Sequence, residues 1–315
     1  MKICLNKNNE KDIFRNVYGE NKESAEDLSG NLYMDINALI LKEEEHKRIY
    51  EAQSKVVKLF KDMQNIIQAQ PTLLEWLGLP EILWTEICKK RISNLTSYGR
   101  FDWMIDKEDN LCLLEFNSET PFGWKEAIDY HKNIHKYFNQ YVDPNTNMTE
   151  LLRKSVYKSL NEQGFSRCDR IAIIGDLMDE EELETFEVLK RELKYECEDV
   201  FIESIHKLVT MLGEIYLDKG ENFYPIDFLQ TFYSSEWMAC DEPKEEFVKA
   251  LKTDKVKLIN PVSTLITHSK GLFALIWYLY SERGLLKEHS ETIENHIPYT
   301  SFLEDEFSED EKICS

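Results

Sequence analysis

The spacing of apolar residues along the chain predicts a mixture of helices and strands. From Asp35 to Ala69, apolar side chains recur at nearly helical intervals, which predicts one long helix. The same spacing, with proline and glycine punctuation, predicts further helices over residues 71–77, 80–91, 124–141, 148–164, 181–193 and 271–280. The apolar run from Arg170 to Asp176 is typical of a buried parallel strand. Residues 199–212 fit either a helix or a strand, and the polar residues 1–30 predict irregular structure.

One segment alternates polar and apolar side chains and therefore predicts an antiparallel hairpin. Its strands are residues 100–106 and 111–117, and its turn is residues 107–110. Since successive side chains of a strand point to opposite faces, Asp102 should lie opposite Glu115 and Arg100 opposite Asn117, all on one polar face. The other face is expected to be buried, and it comprises Phe101, Trp103, Ile105, Cys112, Leu114 and Phe116.

The polar face of this hairpin is a candidate metal site. Two carboxylates directly opposite each other are destabilising unless something compensates them, and a hard cation would do so. Mg²⁺ prefers oxygen ligands, commonly one or two carboxylates together with substrate phosphates, and the neighbouring Arg100 suits a phosphate oxygen. The alternative is an ordinary solvated polar face, and a register slip of one residue would scatter the four side chains.

Composition narrows the function classes. The 315 residues carry a net charge of −21, which argues against nucleic acid and anionic membranes as partners, because both are bound through basic patches. The charge is compatible with a polyamine or another cationic amine, although acidity also serves solubility. The seven cysteines are scattered and fit reduced thiols. The sequence contains no apolar run near the ~18 residues of a spanning helix and no signal peptide, so we expect a cytoplasmic protein.

Four motifs, in order along the chain, resemble those of the glutathionylspermidine synthase family. The first is Tyr98-Gly-Arg-Phe-Asp followed by Leu113-Leu-Glu-Phe-Asn-Ser-Glu-Thr-Pro. The others are the acidic turn at 179–185, the Phe-Tyr-Ser-Ser-Glu-Trp-Met segment at 232–238 and the Asn-Pro…Ser-Lys-Gly segment at 259–271. Members of this family are ATP-grasp ligases that activate a carboxylate as an acyl phosphate and pass it to an amine.

The resemblance implies ATP and Mg²⁺ as cofactors and assigns roles to individual residues. It implies Asp102, Glu115 and Asn117 as metal ligands, Arg100 as the catalytic arginine on the ATP phosphates, Lys270 as an ATP-binding lysine, and Thr120, Glu181 and Glu182 as substrate contacts. Acids in the first turn of a helix also favour the helix dipole without any ligand, and a lysine before glycine can simply cap a turn. Phe122 replaces a small polar residue of the family, which puts glutathione itself in doubt as the substrate.

The implied fold class is α/β (α+β), a permuted ATP-grasp with a pre-ATP-grasp-like α/β subdomain. The expected parts are an irregular segment (1–30), helices with the metal-binding hairpin (31–145), the substrate part (146–260) and the start of the nucleotide-binding part (261–315). The family's later Lys-Pro-x-x-Gly-Arg-Glu-Gly motif, which forms the nucleotide lid, does not occur in this sequence. We therefore expect an incomplete ATP-grasp, a carboxylate–amine ligase that is inactive alone, with a complementing C-terminal chain as a possible partner. The alternative is a non-catalytic remnant or binding protein of the same fold.

Overall fold

The protein has a mixed α/β architecture, which confirms the predicted class. The computed structural model describes residues 2–4, 10–18, 36–241 and 244–302. The strands are β1 (Lys2–Cys4), β2 (Ala38–Ile40), β3 (Arg100–Ile105), β4 (Leu111–Asn117), β5 (Arg170–Gly175), β6 (Asp199–Ser204), β7 (Leu208–Met211), β8 (Glu214–Asp218), β9 (Phe223–Pro225), β10 (Phe228–Thr231) and β11 (Lys257–Leu258). The α-helices are α1 (Glu10–Tyr18), α2 (Glu43–Ala69), α3 (Leu73–Trp76), α4 (Trp84–Ile87), α5 (His131–His135), α6 (Met148–Glu162), α7 (Glu180–Leu193), α8 (Ser235–Met238), α9 (Lys244–Lys252), α10 (Leu265–His268), α11 (Gly271–Ser281) and α12 (Ser290–His296).

A parallel sheet in the order β11-β10-β5-β6 forms the centre of the α/β part. The central strand β5 is the predicted buried apolar run, and Ile171 to Ile174 are fully buried. Its alternate side chains enter different cores, since Ile171 and Ile173 pack with helices α6 and α7, whereas Ala172 and Ile174 join the core that contains the hairpin. The sheet therefore needs apolar residues on both faces, as buried parallel strands do.

The long helix α2 carries the hairpin on its apolar side. Phe60 is fully buried, and its ring centroid lies 6.5 Å from Phe101, 6.1 Å from Phe116 and 6.2 Å from Phe273 of α11. Phe101 and Phe116 stack face to face across the two hairpin strands at 3.9 Å. These rings hold the apolar face of β3 and β4 between α2 and α11.

Two expectations for the N-terminal region were wrong. Within residues 1–30, the described residues 2–4 and 10–18 form a strand and a helix; the rest of that segment lies outside the described residues. The predicted helix from Asp35 begins only at Glu43, because residues 38–40 form β2 and pair antiparallel with β1. The Lys42 N–H donates to Glu45 Oε2 at 2.7 Å, and this bond fixes the start of the helix.

The hairpin has the predicted register only in the half nearest its open end. Arg100 pairs with Asn117 and Asp102 with Glu115, but the next pair joins Trp103 to Leu113, so Leu114 is an extra residue in a β-bulge. The prediction that Cys112 and Leu114 lie on the buried apolar face was therefore wrong. Leu111 and Leu113 are buried instead, whereas Leu114 is 47% exposed.

Other predicted elements differ mainly in their ends. The helix predicted over 124–141 consists of a π-helical stretch at Glu126–Tyr130 followed by α5, and the ambiguous residues 199–212 form mostly strands. The helices predicted over 148–164, 181–193 and 271–280 correspond to α6, α7 and α11. Within the described ranges, none of the helices combines the length and the apolar character that crossing a membrane requires.

Candidate functional site

The polar face of the hairpin brings together the side chains that the sequence pattern placed there. Arg100 and Asp102 project from β3, and Glu115 and Asn117 lie opposite them on β4. Gly99, which precedes β3, is required by close packing: a Cβ there would lie 2.6 Å from a ring carbon of Phe116 and 3.1 Å from the Asn117 carbonyl oxygen. The glycine of the Tyr-Gly-Arg-Phe-Asp motif thus lets the two strands begin side by side.

Arg100 binds Asp102 with a bidentate geometry. Its Nε and Nη2 donate to the two carboxylate oxygens at 2.7 and 2.9 Å, and Nη1 donates to the Phe122 carbonyl at 3.1 Å. These hydrogen bonds hold the pKa of the Asp102 carboxyl below its ordinary value, against the opposing effect of partial burial. Asp102 is therefore an ionised carboxylate at neutral pH, as a metal ligand must be.

Glu115 is bound from two sides. The Asn117 Nδ2 donates to its Oε1 at 2.8 Å, and the Lys270 ammonium lies 3.2 Å from its Oε2. In addition, Arg100 Nη2 lies 4.0 Å from Glu115 Oε1. Lys270 comes from the start of α11, far along the chain, so the structure unites it with the hairpin as one network of two carboxylates, two cations and one amide. Lys270 itself remains 72% exposed.

The predicted substrate residues lie in two other places. Thr120 is half-buried just beyond the end of β4, beside Phe122, whose ring packs against Phe232 at 4.8 Å. Glu182 lies at the carboxyl end of β5, where its Oε2 accepts a hydrogen bond from the Asp176 N–H at 3.0 Å. The Glu182 N–H donates to Asp179, so these contacts belong to the turn before α7.

Glu181 shares the first turn of α7 with Glu182, but its side chain lies outside the part of the chain that the structure describes. Its role as a substrate contact therefore stays a prediction.

Glu119 is a buried residue of this region that sequence reasoning missed. Its carboxylate is 2% exposed and accepts hydrogen bonds from the Ser234 hydroxyl at 2.9 Å and the Ser235 N–H at 2.8 Å. Its carbonyl oxygen accepts from Asn260 Nδ2 at 2.8 Å. Three motif segments that are distant in sequence thus meet at one residue. Its place in the Leu-Leu-Glu-Phe-Asn-Ser-Glu-Thr-Pro motif was a signal that could have singled it out.

A second group of potential metal ligands lies on another part of the described surface. Asp62, Glu288 and His289 each offer a ligand atom, and these atoms lie within 4.8 Å of one another. His289 is buried and its Nε2 lies 2.8 Å from Asp62 Oδ2, so the pair is satisfied by a hydrogen bond. This group matters as a competing cation site in any binding experiment.

Comparisons with known proteins identify the fold and the family. The family model for the glutathionylspermidine synthase pre-ATP-grasp region matches residues 13–298. A solved structure, that of a glutathione synthetase-like effector from Globodera pallida in its apo form, superposes with a TM-score of 0.57 and 10% sequence identity, covering 93% of this chain and 72% of that chain. At that identity the likeness concerns the fold alone, an α/β architecture related to ATP-grasp. No curated protein sequence matches the chain.

Proposed function

Because the chain belongs to the glutathionylspermidine synthase family, we propose that it binds ATP and Mg²⁺ at the hairpin and acts as a carboxylate–amine ligase. The observation that best supports this proposal is the network of Arg100, Asp102, Glu115, Asn117 and Lys270 on one polar face. Family members are ATP- and Mg²⁺-dependent in general. The network provides oxygen ligands for a metal beside two cationic groups for phosphates.

The donor set suits Mg²⁺. Asp102 and Glu115 face each other across the strands, and Asn117 adds an amide oxygen beside them. Hard cations prefer such oxygen ligands, and Mg²⁺ commonly combines one or two carboxylates with substrate phosphates. When bound, the ion would supply charge neutralisation to the nucleotide phosphates.

Arg100 and Lys270 are the phosphate-binding groups of this proposal. In the structure, each of them compensates one carboxylate of the facing pair: Arg100 binds Asp102, and Lys270 binds Glu115. A divalent cation between the carboxylates would take over that compensation. The guanidinium and the ammonium could then donate charge-assisted hydrogen bonds to phosphate oxygens, and Arg100 would stabilise charge on the transferring phosphoryl group.

The acid and the amine would occupy the crevice beyond the carboxyl end of β5, where ligands of α/β proteins commonly lie. Glu182 lies at the carboxyl end of β5, and Glu181 shares the first turn of the same helix. Thr120 follows Glu119, whose carboxylate binds the segment that follows the neighbouring strand β10. Acidic side chains there suit a cationic amine such as a polyamine. A glutathione-like peptide is the proposed acid.

A second candidate is a binding protein that performs no chemistry. It is favoured by the completeness of the pairing at the hairpin, since Asp102 and Glu115 both have protein cations beside them and need no metal for stability. This candidate predicts nucleotide or substrate binding without Mg²⁺ dependence.

Calorimetric titration with a non-hydrolysable ATP analogue, with and without Mg²⁺, tests the nucleotide and metal site on which the ligase proposal depends. The ligase proposal predicts tighter binding with Mg²⁺ and loss of that dependence in Asp102→Asn and in Glu115→Gln. Glu108→Gln, an exposed acid in the turn of the same hairpin, is the matched control. Glu288→Gln removes a ligand from the second potential cation site. Equal affinity of the wild-type chain with and without Mg²⁺ would refute the proposed metal site.

A further inference from the structure

Glu119 lies just beyond the end of β4, where it contacts the segment that leads into α8. It follows the last residue of β4 by two positions, and its side chain is buried. Both carboxylate oxygens are engaged, Oε2 by the Ser234 hydroxyl and Oε1 by the Ser235 N–H. Ser234 in turn accepts from the Glu236 N–H at 3.2 Å. The first turn of α8 is therefore attached to the end of β4 through one carboxylate.

The backbone around Glu119 is fixed by further hydrogen bonds. The Ser118 hydroxyl donates to the Thr264 carbonyl at 3.0 Å and lies 2.9 Å from Thr267 Oγ1. The Ser118 carbonyl accepts from Thr96 Oγ1 at 2.7 Å. Together with the hydrogen bond from Asn260 to the Glu119 carbonyl, these bonds connect the dipeptide Ser118-Glu119 to the segments before β3, after β11 and at α10.

The proposed metal ligands of β4 lie next to this attachment along the chain. Asn117 directly precedes the dipeptide, Glu115 lies two residues earlier on the same strand, and Thr120 directly follows it. We propose that Glu119 is a positioning residue, which aligns the Glu115 and Asn117 ligands of β4 with the Thr120 and α8 side of the cleft. The proposal rests on the proposed nucleotide and metal site and adds a residue that need not touch either ligand.

The segment that Glu119 binds, from the end of β10 to Ser234, is held by its own hydrogen bonds. Thr231 Oγ1 donates to the Tyr233 carbonyl at 2.6 Å and accepts from the Tyr233 N–H at 2.9 Å, so the turn between β10 and Ser234 is closed. Glu119 thus connects two ordered elements, and its loss would uncouple them while each keeps its own internal bonds.

Three variants test the role. Glu119→Ala removes both acceptors. Glu119→Gln keeps an oxygen for the Ser235 N–H and offers an N–H to the Ser234 hydroxyl, which can accept a second hydrogen bond. Glu162→Ala is the matched control, because Glu162 binds the N–H and hydroxyl of Ser93 at 2.7 and 2.6 Å in the same pattern, away from the hairpin.

Each variant is measured in two ways at a temperature where circular dichroism shows it folded. We expect Glu119→Ala to weaken binding of the Mg²⁺–ATP analogue at least ~10-fold and to accelerate amide exchange at residues 115–117, whereas Glu119→Gln stays within about 3-fold of wild type. Glu162→Ala should change neither quantity. If Glu119→Ala does not fold, Ser234→Ala, which removes one donor, should show the same changes to a smaller degree.

The affinity measurement and the amide-exchange measurement test the proposed function and the positioning role separately. A wild-type chain that binds no nucleotide would overturn the proposed function, while the amide exchange of residues 115–117 would still report whether Glu119 positions the strand. Wild-type exchange and wild-type affinity in Glu119→Ala would overturn the positioning role. Equal losses in Glu119→Ala and Glu119→Gln would do so as well, because the amide preserves the hydrogen bonds.

Discussion

Replacing Lys270 by methionine should separate binding from stability. The Lys270 side chain is 72% exposed, and its ion pair with Glu115 at 3.2 Å should stabilise the fold by only about 0.2–1 kcal/mol, as exposed pairs do. A charge-assisted hydrogen bond to a phosphate contributes roughly 1.5–3 kcal/mol. Since about 1.4 kcal/mol corresponds to a tenfold change in affinity, Lys270→Met should weaken binding of the Mg²⁺–ATP analogue roughly 10- to 150-fold.

The assay pairs calorimetric titration with urea unfolding of the same samples. Lys47→Met is the control, since Lys47 is 73% exposed and also forms an ion pair with a glutamate, Glu51, at 3.8 Å. The control should leave affinity unchanged and should shift the unfolding free energy about as little as Lys270→Met does. Unchanged affinity in Lys270→Met, or an equal loss of affinity in both variants, would refute the assignment of Lys270 to the phosphates.

Three further outcomes follow from the packing and the charges of the hairpin. Phe60→Ala should lower the unfolding free energy by about 3–5 kcal/mol in urea denaturation, because the ring is fully buried among the hairpin aromatics, whereas Tyr50→Ala, at a 67% exposed position of the same helix, should cost at most about 0.5 kcal/mol. Gly99→Ala should cost about 1–3 kcal/mol, since its Cβ would meet the Phe116 ring, and a cost near zero would show that the strands can separate there. Because the pKa of Asp102 is lowered in the folded state, its pairing with Arg100 stabilises the fold above the ordinary carboxyl pKa of about 4, and this stabilisation is lost as the pH falls through the folded-state pKa. The unfolding free energy should therefore fall less steeply in acid in Asp102→Asn than in the wild type. Equal slopes would contradict this prediction.

The sequence predicted the pairing of the four polar side chains better than it predicted the register of the rest of the hairpin. The period-2 pattern correctly placed Asp102 opposite Glu115, because both strands are regular near their open end. The same pattern failed beyond Asp102, because four consecutive apolar residues at 111–114 interrupt the alternation, and such a run does not show where an extra residue forms a bulge. The position of the bulge depends on the packing of Leu113 in the core, and that packing involves residues distant in sequence.

Contacts between distant residues explain the other differences. Leu39 fits a helical pattern, but it forms part of β2 because β1 lies beside it, and a local window contains no information about that partner. The contacts of Glu119 could not be predicted, because its hydrogen-bond donors, Ser234 and Ser235, are more than a hundred residues away. The strand β5 could be predicted without knowledge of its partners, because its continuous apolar run indicates burial on both faces.

The bulge at Leu114 also separates the proposed metal ligands from the turn of the hairpin. It divides the hairpin into two ladders with different registers, and only the outer ladder continues into the turn at 106–110. The inner ladder, which carries Asp102 and Glu115, is fixed at its base by the bonds of Ser118 and Glu119. We therefore expect an insertion or deletion in the turn to be absorbed beyond the bulge, with Asp102 and Glu115 still paired.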